Sequence, residues 1–107
     1  MSYEVIVTSN FQKQARPLVK KYHSLRDELN ELADLLAANP QMGTPLGRNC
    51  FKIRLAIKSK GKGKSGGARI ITCVFIEENR IFLVSIYDKS EMENISDNVL
   101  TLLLKQI

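Results

Sequence analysis

The sequence predicts an α+β domain, a small and mainly antiparallel sheet packed by two N-terminal helices. Three observations lead there. Apolar residues recur at helical spacing early in the chain, three strand-like apolar stretches follow late, and dense Gly/Pro/Asn breaks separate the two groups. At 107 residues the chain is expected to form one domain, 1–107, with a single core that needs no metal or disulfide.

Taken in order, Tyr3 to Thr8 alternates well enough for a first strand, and Ser9 with Gln12 is a capping-box signal for a helix. That helix carries Phe11, Ala15, Leu18, Val19 and Tyr22 on one face, and Pro17 inside it predicts a kink or break near Arg16. Ser24 is expected to cap a second helix with Leu25, Leu29, Leu32 and Leu36 facing the core. The repeat is too short for a coiled coil. Asn39-Pro40 ends it, and the segment to Cys50, with Gly43, Pro45 and Gly47, is expected to be a loop.

From Phe51 to Lys58 apolar residues alternate with polar or small ones, which puts Phe51, Ile53, Leu55 and Ile57 on a core face and Lys52, Arg54 and Lys58 on the other. A Lys/Gly/Ser segment turns the chain back into a strand from Arg69 to Ile76, and a short acidic turn leads to another from Ile81 to Ile86. Alternation in this last strand places Tyr87 and Lys89 with Ser85 and Leu83, opposite Phe82, Val84 and Ile86. Ser90 with Glu93 suggests a cap for a terminal helix whose apolar face is Val99, Leu100, Leu103, Leu104 and Ile107. The order is β-α-α-β-β-β-α.

Charge is concentrated in the middle. No Asp or Glu occurs between Asp34 and Glu77, where eight of the sixteen Lys+Arg lie, and the remainder holds eight basic against eleven acidic residues. The formal charge of +5 is thus +8 in one segment and −3 elsewhere, an asymmetry that points to a polyanionic partner. A solvated hairpin tip explains part of it, but the cationic strand face needs another reason.

Several chemistries are set aside. Gly61, Gly63 and Gly66 have dinucleotide-fingerprint spacing and Gly63-Lys64-Ser65 ends like a P-loop, yet a strand follows instead of a helix, and Lys58 stands where the P-loop needs glycine. His23 is the sole histidine, which leaves no paired-histidine or multi-histidine metal scheme, and no metal or small-molecule cofactor is expected. Cys50 and Cys73, far apart in sequence, suit reduced, partly buried thiols better than a bridge. No apolar run spans a bilayer and no leader pattern is present, so a cytoplasmic protein without membrane contact is expected.

Lys52-Ile53-Arg54, the run from Ser59 to Ile71 and the run Leu83-Val84-Ser85-Ile86-Tyr87-Asp88-Lys89-Ser90-Glu91 together resemble the RelE/ParE toxin superfamily, in particular its HigB-like branch. The resemblance implies a RelE-like fold and the toxin of a type II toxin–antitoxin pair, a ribosome-dependent mRNA endonuclease held inactive by a cognate antitoxin. It implies catalytic roles for Lys52, Arg54, Arg69, Tyr87 and Lys89, and contacts from Lys58, Lys60, Lys62 and Lys64 to mRNA or rRNA. No tyrosine lies between Glu91 and Ile107, where the best-known RelE pattern has one, so Tyr87 is the candidate left.

Metal-independent RNA cleavage uses the 2′-OH as nucleophile, and needs a base, an acid for the leaving 5′-oxygen and cations for the phosphorane. A lysine beside other cations is eased toward proton transfer, because like charge disfavours its protonated form. Arginines remain charged and offer forked donors to phosphate. Tyr87 would stack on a base or assist proton transfer. Against this stand plainer roles: Lys52 and Arg54 as solvent-face residues, Arg69 paired with a carboxylate such as Asp88, and Tyr87 as half-core. Two other functions stay open, a ParE-like poison of DNA gyrase and a non-catalytic nucleic-acid or antitoxin-binding member; a gyrase poison has no need of converging cations on the sheet.

Overall fold

The computed structural model describes residues 2–61, 66–91 and 94–107. Strand β1 (Glu4–Val7) leads into helices α1 (Ser9–Lys21) and α2 (Leu25–Ala38), followed by β2 (Thr44–Gly47), β3 (Cys50–Leu55), β4 (Ala68–Phe75), β5 (Arg80–Asp88) and α3 (Asp97–Leu104). The sheet order is β1-β5-β4-β3-β2, antiparallel except where β1 runs parallel to β5. Helices α1 and α2 cover one face through Phe11, Leu18, Leu25, Leu32 and Leu36, packed on Ile53, Ile70, Leu83 and Ile86. Helix α3 lies on the other face, where Leu100 and Leu103 meet Ile71, Val84 and Tyr87.

The segment expected to be a loop before Cys50 holds a strand. β2 pairs with β3 through a tight turn in which Arg48 and Asn49 both have positive φ, 55° and 59°, the left-handed pair that two-residue hairpins favour. Pro45 is tolerated because β2 is the sheet edge. Its glycines and proline resemble loop punctuation, which hid it.

Helix starts also differ from expectation. α1 is capped by Thr8, whose Oγ1 accepts from Phe11 N at 3.2 Å, one residue before the expected Ser9. Pro17 does not break α1: the helix continues to Lys21, since Pro17 is on the exposed side and Leu18 and Tyr22 beyond it are fixed in the core. Ser24 precedes α2 but makes no backbone cap; its Oγ donates to Glu28 Oε1 at 3.1 Å. The terminal helix is capped by Ser96, which accepts from Val99 N at 3.2 Å. Ser90 instead bonds Asp88, and Glu93 lies outside the described residues.

A β-bulge overturns the expected alternation in β5. Ile71 pairs with Ser85 and Thr72 with Leu83, so Val84 is the extra residue, and Val84 and Tyr87 fall on the α3 side while Leu83 and Ile86 face α1 and α2. Beyond Leu83, where β1 ends, α1 supplies side chains to the free edge. Asn10 Nδ2 donates to Val84 O at 2.8 Å, and Gln14 Oε1 accepts from Ile86 N at 3.1 Å and Ser85 Oγ at 2.8 Å.

The two cysteines, far apart in sequence, are register partners across β3 and β4. Both are free thiols, fully buried where partly buried ones were expected, with Sγ atoms 2.7 Å apart.

Candidate functional site

Register assembles the site. Arg54 on β3 stands opposite Arg69 on β4, and Arg69 stands opposite Tyr87 on β5, so three strands contribute one cross-strand row. Directly opposed side chains on one face begin roughly 4.5–5.5 Å apart at Cβ. The row faces away from α1 and α2, because its chain neighbours Ile53, Ala68, Ile70 and Ile86 belong to the helix-side core. Lys52 lies two residues along the same face of β3, opposite Ile71, and its Nζ donates to Asn94 Oδ1 at 3.0 Å.

Depth varies along the row. Arg54 is exposed and Lys52 half-buried, whereas Arg69 and Tyr87 are only 3% and 5% exposed. Arg69 Nη1 donates to Ala68 O at 3.2 Å, which helps hold the guanidinium in its recess. Two arginines directly opposite each other are by themselves an unfavourable pair, and a phosphate taken between them would reverse the sign of that interaction.

The Tyr87 hydroxyl is buried with no hydrogen-bond partner among the described residues. Burial pushes its pKa up, and the nearby Arg69 charge pulls it down by less. The phenol therefore keeps its proton at neutral pH, and its chemistry in place is that of a donor. Its ring packs with Leu100 and Leu103 in the α3-side cluster, so stacking on a base is not open to it as placed. Lys89 lies just past β5, half-buried, with its backbone N donating to Gly67 O at 3.1 Å, which continues the β4–β5 ladder by one residue.

The expected tip cations divide differently. Lys60, expected to meet solvent and RNA, turns to the helix side: its Nζ is 2.6 Å from Asp88 Oδ1 and 5.5 Å from the Tyr22 ring centroid, with the side chain 13% exposed. Lys58 has an exposed side chain, and its backbone N donates to Glu28 Oε2 at 2.8 Å. Ser59 N donates to Ser24 Oγ at 3.0 Å, so residues 58, 59 and 60 are each tied to a partner behind the sheet. Lys62 and Lys64 lie outside the described residues.

Asp88 is the group that sequence reasoning passed over, except as a conceivable partner for Arg69. Ala68, its register partner, faces the helices, and so does Asp88. The carboxylate accepts from Tyr22 Oη at 2.9 Å, Ser90 N at 3.0 Å and Ser90 Oγ at 2.9 Å besides Lys60. Burial alone would raise its pKa, but Lys60 and the hydroxyl and amide donors hold it well below the usual carboxylate range. The network fixes the strand end that carries Tyr87 and Lys89. Nothing local in the sequence marks Asp88, since the cation it holds lies 28 residues earlier.

A family model described as the RelE toxin of the RelE/RelB toxin–antitoxin system matches residues 4–106. Among solved structures, the free E. coli RelE toxin bearing two arginine-to-alanine substitutions superposes with a TM-score of 0.66 at 20% identity, covering 100% of this chain and 99% of that one. The isolated E. coli RelE toxin gives 0.62 at 17% identity over 99% of this chain and 100% of that one. RelE in the intact E. coli RelBE toxin–antitoxin complex gives 0.61 at 20% identity, over 81% of this chain and 96% of that one. The solved structures share the fold, and, matched by the family model over nearly its whole length, the chain belongs to the RelE toxin family.

Proposed function

We propose that this chain is the toxin of a type II pair and inhibits translation by cutting mRNA on the ribosome, with the Arg54–Arg69–Tyr87 row as the seat of the scissile phosphate. The observation that carries this is the row itself: an exposed arginine stands opposite a recessed one at one end of a sheet face, the buried Tyr87 phenol is next in register, Lys52 is two residues along, and Lys89 is at the strand end. In the reaction the 2′-oxygen bonds to phosphorus as its proton leaves to a base, and the phosphorus–5′-oxygen bond breaks as that oxygen takes a proton from an acid. Arg54 and Arg69 stabilise the phosphorane, each preorganised donor being worth roughly 3–4 kcal/mol. Lys52 and Lys89 are the candidates for moving protons. Lys58, Lys62 and Lys64 serve docking on rRNA, while Lys60 is held by Asp88 and has a structural task.

A cognate antitoxin is the proposed partner, in line with the E. coli RelE toxin found in complex with RelB. It would present acidic or amphipathic segments to the cationic face, and its binding would weaken with salt. Within the superfamily, the Lys/Gly segment and the Tyr87-Asp88-Lys89-Ser90-Glu91 run favour the HigB-like branch.

The test is cleavage of a defined mRNA with and without ribosomes, run beside a gyrase supercoiling assay. Ribosome-dependent cuts, lowered about a hundredfold by Arg54→Ala or Lys89→Ala with ribosome binding retained, are expected. Gyrase inhibition without cleavage would replace this function with the ParE-like one, and neither activity would leave a binding protein.

A further inference from the structure

We propose that Cys50 and Cys73 form a two-thiol oxidation site, at which a hydroperoxide converts the facing thiols into one intramolecular disulfide joining β3 to β4. The register puts them in the right kind of pair. Val74 N donates to Asn49 O at 2.8 Å, which makes Asn49 and Val74 a hydrogen-bonded pair, and by alternation the next pair, Cys50 and Cys73, is non-hydrogen-bonded. In such pairs the Cα atoms lie about 4.5 Å apart, inside the roughly 4.4–6.8 Å that a disulfide spans. The thiols already touch each other, so closing the bond requires only a small side-chain adjustment.

The two sulfurs are not equivalent. The hydrogen bond shared with Cys73 holds the Cys50 thiol below its usual range against the opposing effect of burial, and the Arg48 charge adds to this; Cys73 is pushed up by the same bond and by burial. Cys50 is therefore assigned as the attacking sulfur, giving up its proton as it reacts, and Cys73 as the resolving one. The Cys50 sulfur takes the terminal oxygen of the peroxide as the O–O bond breaks, leaving a sulfenic acid and an alcohol, or water when the oxidant is hydrogen peroxide. Cys73 then loses its proton, its sulfur bonds to Cys50 Sγ, and the hydroxyl departs as water. Two thiols and one hydroperoxide give one disulfide, one alcohol and one water.

Access is the remaining requirement, since both residues are 1% exposed. An open cleft of about 520 Å³ begins at the next residues along both strands, lined by Arg48, Asn49, Val74, Phe75 and Leu104. The cover above the sulfurs is α3, eight residues long with Leu100 and Leu103 as its buried anchors, and Arg48 Nη1 ties it to the hairpin through Thr101 Oγ1 at 2.7 Å. A short cover with so few anchors opens locally far more often than the sheet unfolds. The bond would weld the strand bearing Lys52 and Arg54 to the strand bearing Arg69 without changing any charge of the basic row. Oxidation would thus lengthen the lifetime of the folded chain and leave its cationic surface as it is.

The reduced protein is treated with hydrogen peroxide and digested with trypsin without reduction. The expected product is peptide 49–52 joined to peptide 70–80 in a monomer lighter by two hydrogens, absent from Cys50→Ser and from Cys73→Ser. The melting midpoint should rise by about 5–15 °C and fall back with a dithiol reductant. Leu103→Ala, which loosens α3, should speed cross-linking several-fold. Added oxygens in place of the cross-link, dimers joined between chains, or thiols that stay unmodified while the urea-unfolded chain cross-links would each overturn the proposal.

Discussion

Replacing Asp88 by Asn tests the network behind the site. The carboxylate is 1% exposed and accepts four hydrogen bonds, the shortest from Lys60 at 2.6 Å. An amide has one acceptor oxygen, so at least one donor loses its partner, and the Lys60 ammonium stays largely enclosed without a countercharge. Breaking a buried pair from one side costs about 3–5 kcal/mol, which at roughly 4 °C per kcal/mol lowers the melting midpoint by about 12–20 °C. The pH dependence has a definite sign. The folded pKa of Asp88 is depressed, so its contribution is complete above the unfolded value near 3.9 and is lost as pH falls toward the folded one. Urea titrations of parent and Asp88→Asn should therefore show a wide gap at pH 7 that narrows below about pH 4. Adding Lys60→Met to Asp88→Asn should recover much of the loss, because the stranded charge is gone. A gap under about 1 kcal/mol at pH 7, or one unchanged at pH 3, would refute the reasoning.

Three further outcomes follow from named contacts. Tyr87→Phe removes a buried hydroxyl that has no described partner, so urea unfolding should show no loss and up to about 1 kcal/mol of gain; a drop in mRNA cleavage in the same variant would assign that hydroxyl to chemistry alone. Gly67→Ala would drive a methyl group into the Leu55 backbone carbonyl where β3 and β4 converge; a melting midpoint within about 3 °C of the parent would contradict that crowding, since a loss above roughly 3 kcal/mol is expected. Gln14→Ala strips the bulge of the acceptor for Ile86 N and Ser85 Oγ, and hydrogen exchange at Ile86 should quicken with a stability loss of about 1–3 kcal/mol.

What the sequence disclosed depended on how local the cause was. The leucines of α2 and the alternation of β3 are periodic within one element, and both faces came out as expected. The apolar runs of β4 and β5 announce strands, but a strand buried on both faces carries no alternation by which a bulge could be seen, and Val84 shifted Tyr87 to the other side. Of the candidate cations, Arg54 and Arg69 meet in one row because of a register that no single stretch encodes. Lys60 shows the reverse case: it sits in a cationic run, yet a carboxylate 28 residues later takes its charge. The contact of Cys50 with Cys73, 23 residues apart, likewise depends on strand pairing. β2 was lost because an edge strand can afford the Gly and Pro that mark loops.

The parallel pairing of β1 with β5 sets a timetable for the chain. Glu4 and Arg80 are register partners and an ion pair at 3.1 Å, although 76 residues separate them, whereas β2, β3 and β4 pair with near neighbours in sequence. Contacts of long sequence separation form late, after the loop-closure entropy has been met by the more local ones. As the chain is synthesised, the β2–β3–β4 meander can therefore zip first, and β1 must wait for its neighbour until β5 has emerged. The same strand brings Tyr87 to Arg69, so an incomplete chain has neither the full five-stranded sheet nor the row. A nascent molecule is in this sense blank until its last strand arrives, because Arg69 and Tyr87 come opposite each other only once β5 has paired with β4.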